Sequence, residues 1–147
     1  MTAGEICSRQ VAVIRPGALV TEAAHLMRAA HAGALVVISD AHGVQVPIGI
    51  ITDRDIALAI HRLLKLPQLK VADLMSVELV IATASEPIER AIDKMESYAV
   101  RRLPIVDDRG LLYGLLTLDD VVEIGSAELT AALRQAVMTQ RRQRSPV

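Results

Sequence analysis

Two threonine and aspartate pairs, Thr52 with Asp55 and Thr117 with Asp120, stand in matching contexts, GIITDRD at 49–55 and GLLTLDD at 114–120. Each follows a short branched-aliphatic run, which places it where a strand gives way to a helix. A threonine hydroxyl there can accept an amide hydrogen bond that a helix start leaves open. An acid three residues on can return the favour in a capping box, stabilising the helix by about 1 kcal/mol. The same carboxylate, once ionised, is an acceptor only, and so also suits a ligand rich in hydroxyl donors. The amides of a helix start attract anions. A threonine can cap while the aspartate points into a cleft, so the two chemistries are compatible.

The elements that carry these pairs come from an internal repeat. EICSRQVAVI from Glu5 lies over DLMSVELVIA from Asp73, and the register holds without gaps to Asp40 over Asp108. Along it Val20, Ala23, Ala24 and Met27 fall on Ile88, Ala91, Ile92 and Met95, each set with the spacing of a helix that buries one stripe. Pro87 suits the first turn of the second of these helices. ALVVI at 34–38 and LPIV at 103–106 read as strands running into the turns DAHG and DDRG. A further strand follows in each half, PIGIIT at 47–52 and LYGLLT at 112–117, after a loop three residues longer in the first. Ile56, Ile60, Leu63 and Leu64 then keep helical spacing up to Pro67, and Val121, Val122 and Ile124 open a helix just before Gly125. The repeating unit is strand, helix, strand, strand, helix. The expected organisation is a first repeat at 5–66, a linker at 67–70 too short to be a tether, a second repeat at 71–125, and an extension at 126–147. In that extension Leu129, Leu133, Ala136 and Val137 share a helix face, and RRQRSPV reads as a frayed tail.

Bulk properties narrow the function classes. A net charge of −1 removes bulk attraction to nucleic acid or an anionic membrane, so any anion site must be local. The lone cysteine, Cys7, forms no internal disulfide, and its alignment with Met75 marks it as a small buried apolar side chain. No window holds the roughly 20 apolar residues of a membrane helix and no secretory leader is visible, so the chain reads as cytoplasmic and soluble. His25, His31, His42 and His61 lack metal-ligand spacing, and no nucleophile, base and acid set or glycine-rich phosphate loop appears. The expectation is neither an enzyme nor a metal protein.

A tandem of such units, each ending in Gly, two aliphatics, Thr, two variable residues and Asp, resembles the cystathionine beta-synthase (CBS) domain pair, or Bateman module. VRRLPIVDDRG at 100–110 is close to the family's commonest wording for that strand and turn, and DLMS at 73–76 matches its usual entry. The resemblance implies an α/β fold of two pseudo-twofold-related repeats, with small sheets packed together and helices outside. It also implies two clefts between the copies, which in many relatives hold AMP, ADP or ATP, or less often S-adenosylmethionine or NAD(H). Such modules usually form flat homodimers that regulate another protein.

On that resemblance Asp55 and Asp120 become candidate ribose ligands, each accepting from a hydroxyl of the diol. Thr52 and Thr117, at the strand ends, add a hydroxyl that donates or accepts, and Gly49 and Gly114 permit close backbone or ligand approach. Arg101 and Arg102 occupy positions where relatives often carry basic residues facing phosphate, and they equally suit a solvated surface; the first copy has Gly33 and Ala34 there. Ile14, Arg15, Ala82 and Thr83 match the strand exits that border adenine in similar proteins. The copies differ inside the motif: Asp53 and Arg54 in the first, Leu118 and Asp119 in the second, so the two clefts should not bind phosphate equally. The leading expectation is a stand-alone sensor of an adenosine nucleotide acting through a homodimer on an unknown regulated protein. The alternative is a ligand-free dimerisation scaffold in which the pairs only cap helices. Nucleic-acid binding through RRQR lacks both the charge and the stacking aromatics it needs.

Overall fold

The computed structural model describes residues 1–39, 43–62 and 64–144; within the last helix it does not cover the side chains at 129, 130, 132, 133, 136, 137 and 139–144. Leu63, the turn at 40–42, the residues after 144, and the helix face expected for Leu129, Leu133, Ala136 and Val137 therefore lie outside the described residues.

The first repeat runs β1 (Val13–Ile14), α2 (Val20–Ala30), β2 (Ala34–Ser39), β3 (Val46–Thr52) and α3 (Asp53–Leu58), preceded by a four-residue helix α1 (Ala3–Ile6). The second repeats it: α4 (Val71–Leu74), β4 (Ala82–Thr83), α5 (Ile88–Ser97), β5 (Arg102–Val106), β6 (Leu112–Thr117) and α6 (Leu118–Arg144). Each half forms a three-stranded sheet in chain order, with the first strand parallel and the last antiparallel to the middle one. This is the mixed α/β architecture expected from the repeat. β2 is buried on both faces, which its unbroken Leu35-Val36-Val37 run requires, whereas β3 alternates between buried and partly exposed residues.

The helices follow the predicted stripe with one change. Val20, Ala23 and Met27 are buried on α2, and Ile88, Ala91 and Met95 on α5. Ala24 is exposed, and Leu26 packs on the core from the opposite flank of the stripe. After Leu58 the chain tightens into a 3-10 turn, Ala59–Arg62, and the expected stripe fails: Ala59 turns inward while Ile60 and Leu64 stand 62% and 96% exposed. Three residues per turn in place of 3.6 shifts the inward position by one. α6 also departs from the reading, since it continues straight through Gly125, where a side chain would meet nothing. A single glycine in a helix costs only about 1 kcal/mol and need not end it.

The two halves are joined by an exchange. α1, from ahead of the first repeat, packs on β4 and β6 of the second, so that Ala3 and Cys7 belong to the second core with Leu103, Ile105 and Leu116. α4 packs on the first, where Val71 joins Val20, Leu35 and Ile51. Matching hydrogen bonds tie both ends: Ser8 pairs with Leu115 as Ser76 pairs with Ile50, and Thr2 with Pro87 as Lys70 with Leu19. Burial pushes the Cys7 thiol pKa up, in keeping with its expected role as a packed apolar side chain.

This exchange explains the glycine of each motif. A Cβ on Gly114 would sit 2.5 Å from Cys7 Sγ and 2.7 Å from the Ser8 carbonyl oxygen; one on Gly49 would sit 2.7 Å from the Ser76 carbonyl oxygen. The glycines admit the backbone of the exchanged segment, so the close approach they allow is by the protein itself.

Candidate functional site

At the head of α3, Thr52 and Asp55 close on each other. The Thr52 amide donates to Asp55 Oδ2 at 2.8 Å and the Asp55 amide donates to Thr52 Oγ1 at 3.1 Å. At the head of α6 the Thr117 amide donates to Asp120 Oδ2 at 2.9 Å, the Asp120 amide to Thr117 Oγ1 at 3.2 Å, and the Thr117 hydroxyl to Asp120 Oδ2 at 2.7 Å. Both pairs therefore cap their helices. The other oxygen, Oδ1, of Asp55 and of Asp120 accepts no hydrogen bond among the described residues.

The rest of the first turn differs between copies. The Asp53 amide donates to the Gly33 carbonyl at 3.0 Å and the Arg54 amide to Asp53 Oδ1 at 2.8 Å, so all three leading amides of α3 are satisfied within the chain. The expected pull of open amides on phosphate is thus absent there. At α6 the Leu118 amide donates to the Arg101 carbonyl at 2.9 Å, while the Asp119 amide has no acceptor among the described residues.

Arg101 and Arg102, from the second repeat, line a cleft of about 170 Å³ together with Ile50 and Thr52 of the first. The basic pair thus faces the first motif across the pseudo-twofold axis. The Arg102 Nη2 and Asp53 Oδ2 converge on Gly33, lying 3.5 and 3.4 Å from the point a Cβ there would occupy. Arg101 reaches Asp119 at 3.7 Å, but both side chains are largely exposed and the pair contributes little. Arg54 is exposed.

One wall of the cleft is apolar: Leu79, Val80 and Val100, with Ser76 and Glu78 beside them. These same five residues border a wider hollow of about 590 Å³ that continues to Ile81, Lys94 and Tyr98. Ile81 and Tyr98 stand 39% and 64% exposed, which leaves an apolar edge and an aromatic ring open in the hollow that adjoins the arginine-lined cleft. Lys94 Nζ is held by Glu86 at 2.8 Å and by the Ile81 carbonyl at 3.1 Å, fixing that rim. The site has the mixture of apolar wall and few convergent polar groups that small-molecule clefts show.

The strand-exit residues go elsewhere. Ile14 and Arg15 border a separate hollow of about 630 Å³ with Ser39 and Gln45; Thr83 borders another with Ser85 and Arg90; Ala82 is buried in the second core. None of the four lines the Thr52 cleft. The residues that do, Leu79, Val80 and Val100, escaped the sequence reading. The available signal was LVI at 79–81, an apolar run longer than the two-residue strand it leads into. Among the described residues no three His, Cys, Asp or Glu side chains gather to hold a metal, and no helix is long and apolar enough to cross a membrane.

Comparison with known proteins meets this geometry. The CBS domain family model matches residues 3–62 and again 71–126. The CBS domain-containing protein YhcV of Bacillus subtilis is 38% identical over 112 residues, which are 76% of each chain. An uncharacterized protein of Methanopyrus kandleri is 32% identical over 125 residues, 84% of this chain and 62% of that one. An inosine-5'-monophosphate dehydrogenase of Methanocaldococcus jannaschii is 34% identical over 121 residues, but this chain spans only 23% of the enzyme. In structure, a CBS domain pair solved with 5'-methylthioadenosine and S-adenosyl-L-methionine superposes with a TM-score of 0.76 at 22% identity, covering 87% of this chain and 98% of that one, a likeness of fold. CBSX2 in complex with AMP superposes with a TM-score of 0.71 at 29% identity, covering 86% and 96%. With two matched stretches inside one exchanged, internally repeated fold, the chain belongs to the CBS domain family as a tandem pair.

Proposed function

We propose that the protein is a non-catalytic regulatory module of the cytoplasm that binds an adenosine nucleotide between its two repeats and signals through a homodimer to a regulated partner. The observation that carries this reading is the cleft at Thr52, where an apolar wall from Leu79, Val80 and Val100 meets Arg101 and Arg102. The base lies along the apolar wall toward Ile81 and Tyr98, and the phosphate faces the arginines. Asp55, bonded to Thr52 through Oδ2, has Oδ1 left for a ribose hydroxyl. The AMP bound by CBSX2 supports the ligand class.

One observation favours a second reading, the ligand-free scaffold: both threonine and aspartate pairs already satisfy each other as caps. Thermal unfolding with AMP, ADP, ATP, S-adenosylmethionine and NADH separates the two. A ligand at 100 times its dissociation constant adds about 2.7 kcal/mol, a rise of several degrees in Tm. Arg102→Ala and Asp55→Ala are expected to remove the rise. No rise with any compound at millimolar concentration leaves the scaffold.

A further inference from the structure

Between threonine and aspartate the two motif heads differ at both positions, Asp53 and Arg54 in the first, Leu118 and Asp119 in the second, and it is Asp53 that stands nearest the arginine-lined cleft. Asp53 bears on the cleft in two ways. Its Oδ1 accepts the Arg54 amide, filling the one leading amide of α3 that neither Gly33 nor Thr52 takes. Its Oδ2 converges with Arg102 Nη2 over Gly33, a position without a side chain to separate them. Arg102 is also one of the two cations that line the cleft at Thr52. A carboxylate at the rim therefore stands near one of the two cations that line the cleft and closes the helix start to anions. With phosphate facing the arginines, as proposed above, each added phosphate brings more negative charge near that carboxylate, whereas adenosine brings none.

We infer that Asp53 is a specificity-determining residue of this cleft, a resident anion that admits adenosine ligands with no phosphate or one and selects against di- and triphosphates. Leu118, its counterpart, carries no charge at this position, and the second motif has Asp119 one residue on instead. The inference rests on the adenosine-binding reading above and adds to it which members of that class are accepted.

The test is calorimetric titration of the full chain, freed of nucleotide and held at fixed ionic strength, with adenosine, AMP, ADP and ATP. The wild-type protein is expected to bind AMP at least as tightly as ATP. Asp53→Asn should tighten ATP about tenfold, AMP less, and adenosine not measurably, the ordering and size expected when a unit charge several ångströms from the added phosphates is removed. Asp53→Leu, which copies the second motif, should move the ratio of ATP to AMP affinity the same way, and it serves if the asparagine variant does not fold. Arg102→Gln assigns the effect to this cleft by weakening AMP and ATP while sparing adenosine. An ATP to AMP ratio unmoved by both Asp53 variants overturns the inference and leaves the adenosine reading standing. No binding of any of the four compounds by any variant overturns that reading itself, and this inference with it.

Discussion

The two halves of this protein share a backbone plan yet place their charges differently. In the first repeat the positions behind the short opening strand are Ala18 and Leu26, apolar and silent; in the second they are Glu86 and Lys94, an ion pair at 2.8 Å that also anchors the Thr83 amide and the Ile81 carbonyl. Gly33 and Ala34 open the middle strand of the first repeat where Arg101 and Arg102 open that of the second. Because the halves face each other, the cations of the second serve the threonine of the first. The two frames match, and substitution at their shared face put a basic pair in the cleft at Thr52.

The largest expected effect tests what the frames have in common. Gly114→Ala drives a methyl group into Cys7 Sγ and the Ser8 carbonyl and is expected to cost about 3 kcal/mol in chemical denaturation. Gly49→Ala meets one backbone oxygen and the bendable Met75 thioether, and should cost about 1–2 kcal/mol. Equal losses would mean that the exchanged segments seat alike in both halves.

A smaller effect tests the difference. Lys94→Leu leaves the Glu86 carboxylate, 11% exposed, with only the Thr83 amide, and should lower stability by about 1–2 kcal/mol. The double variant Glu86→Ala with Lys94→Leu, which copies the first repeat, should return to within about 1 kcal/mol of wild type. Additive losses in that cycle would show that the pair is not coupled.

The smallest effect concerns the turns. Asp107 accepts the Leu111 and Arg109 amides at 2.9 Å, and these bonds, with Arg109 beside it, hold its carboxyl pKa below the ordinary 3.8. A lowered folded value means that the contribution is complete above the unfolded pKa, near 3.9, and is lost as pH falls through the folded value. The first repeat has Ser39 at this place. The stability of wild type over Asp107→Asn should therefore be constant from pH 7 to 5 and vanish on acidification below about 4. An advantage that persisted at pH 2 would assign it to shape and not to charge.

Much of the frame was legible because periodicity is a local property. The stripe at Val20, Ala23 and Met27 and its copy at Ile88, Ala91 and Met95 needed only spacing, and the strands only their branched runs. What was not legible depends on distant partners. Nothing within MTAGEICSRQ says that Ala3 and Cys7 complete a core with Leu116, and so the reason for Gly114 was hidden although the glycine itself stood out. The same holds for the arginines, whose sequence position assigns them to one repeat while the fold turns them toward the other. Ile60 was misplaced for a different reason: a 3-10 turn and an α-turn begin with the same residues, and the choice between them is made by what the following turn can pack on.

The exchange of α1 and α4 has a consequence for how the chain reaches its native state. Ala3 meets Leu116 across more than a hundred positions, and the first core is incomplete until Val71 arrives from beyond its own last helix. Neither half can close its core from contiguous sequence, so most of the loop entropy is spent before either sheet is covered. Folding is then slow for a chain of this size and all-or-none, the two repeats melting in one transition despite their separate sheets. A ligand held between them would stabilise both halves at once.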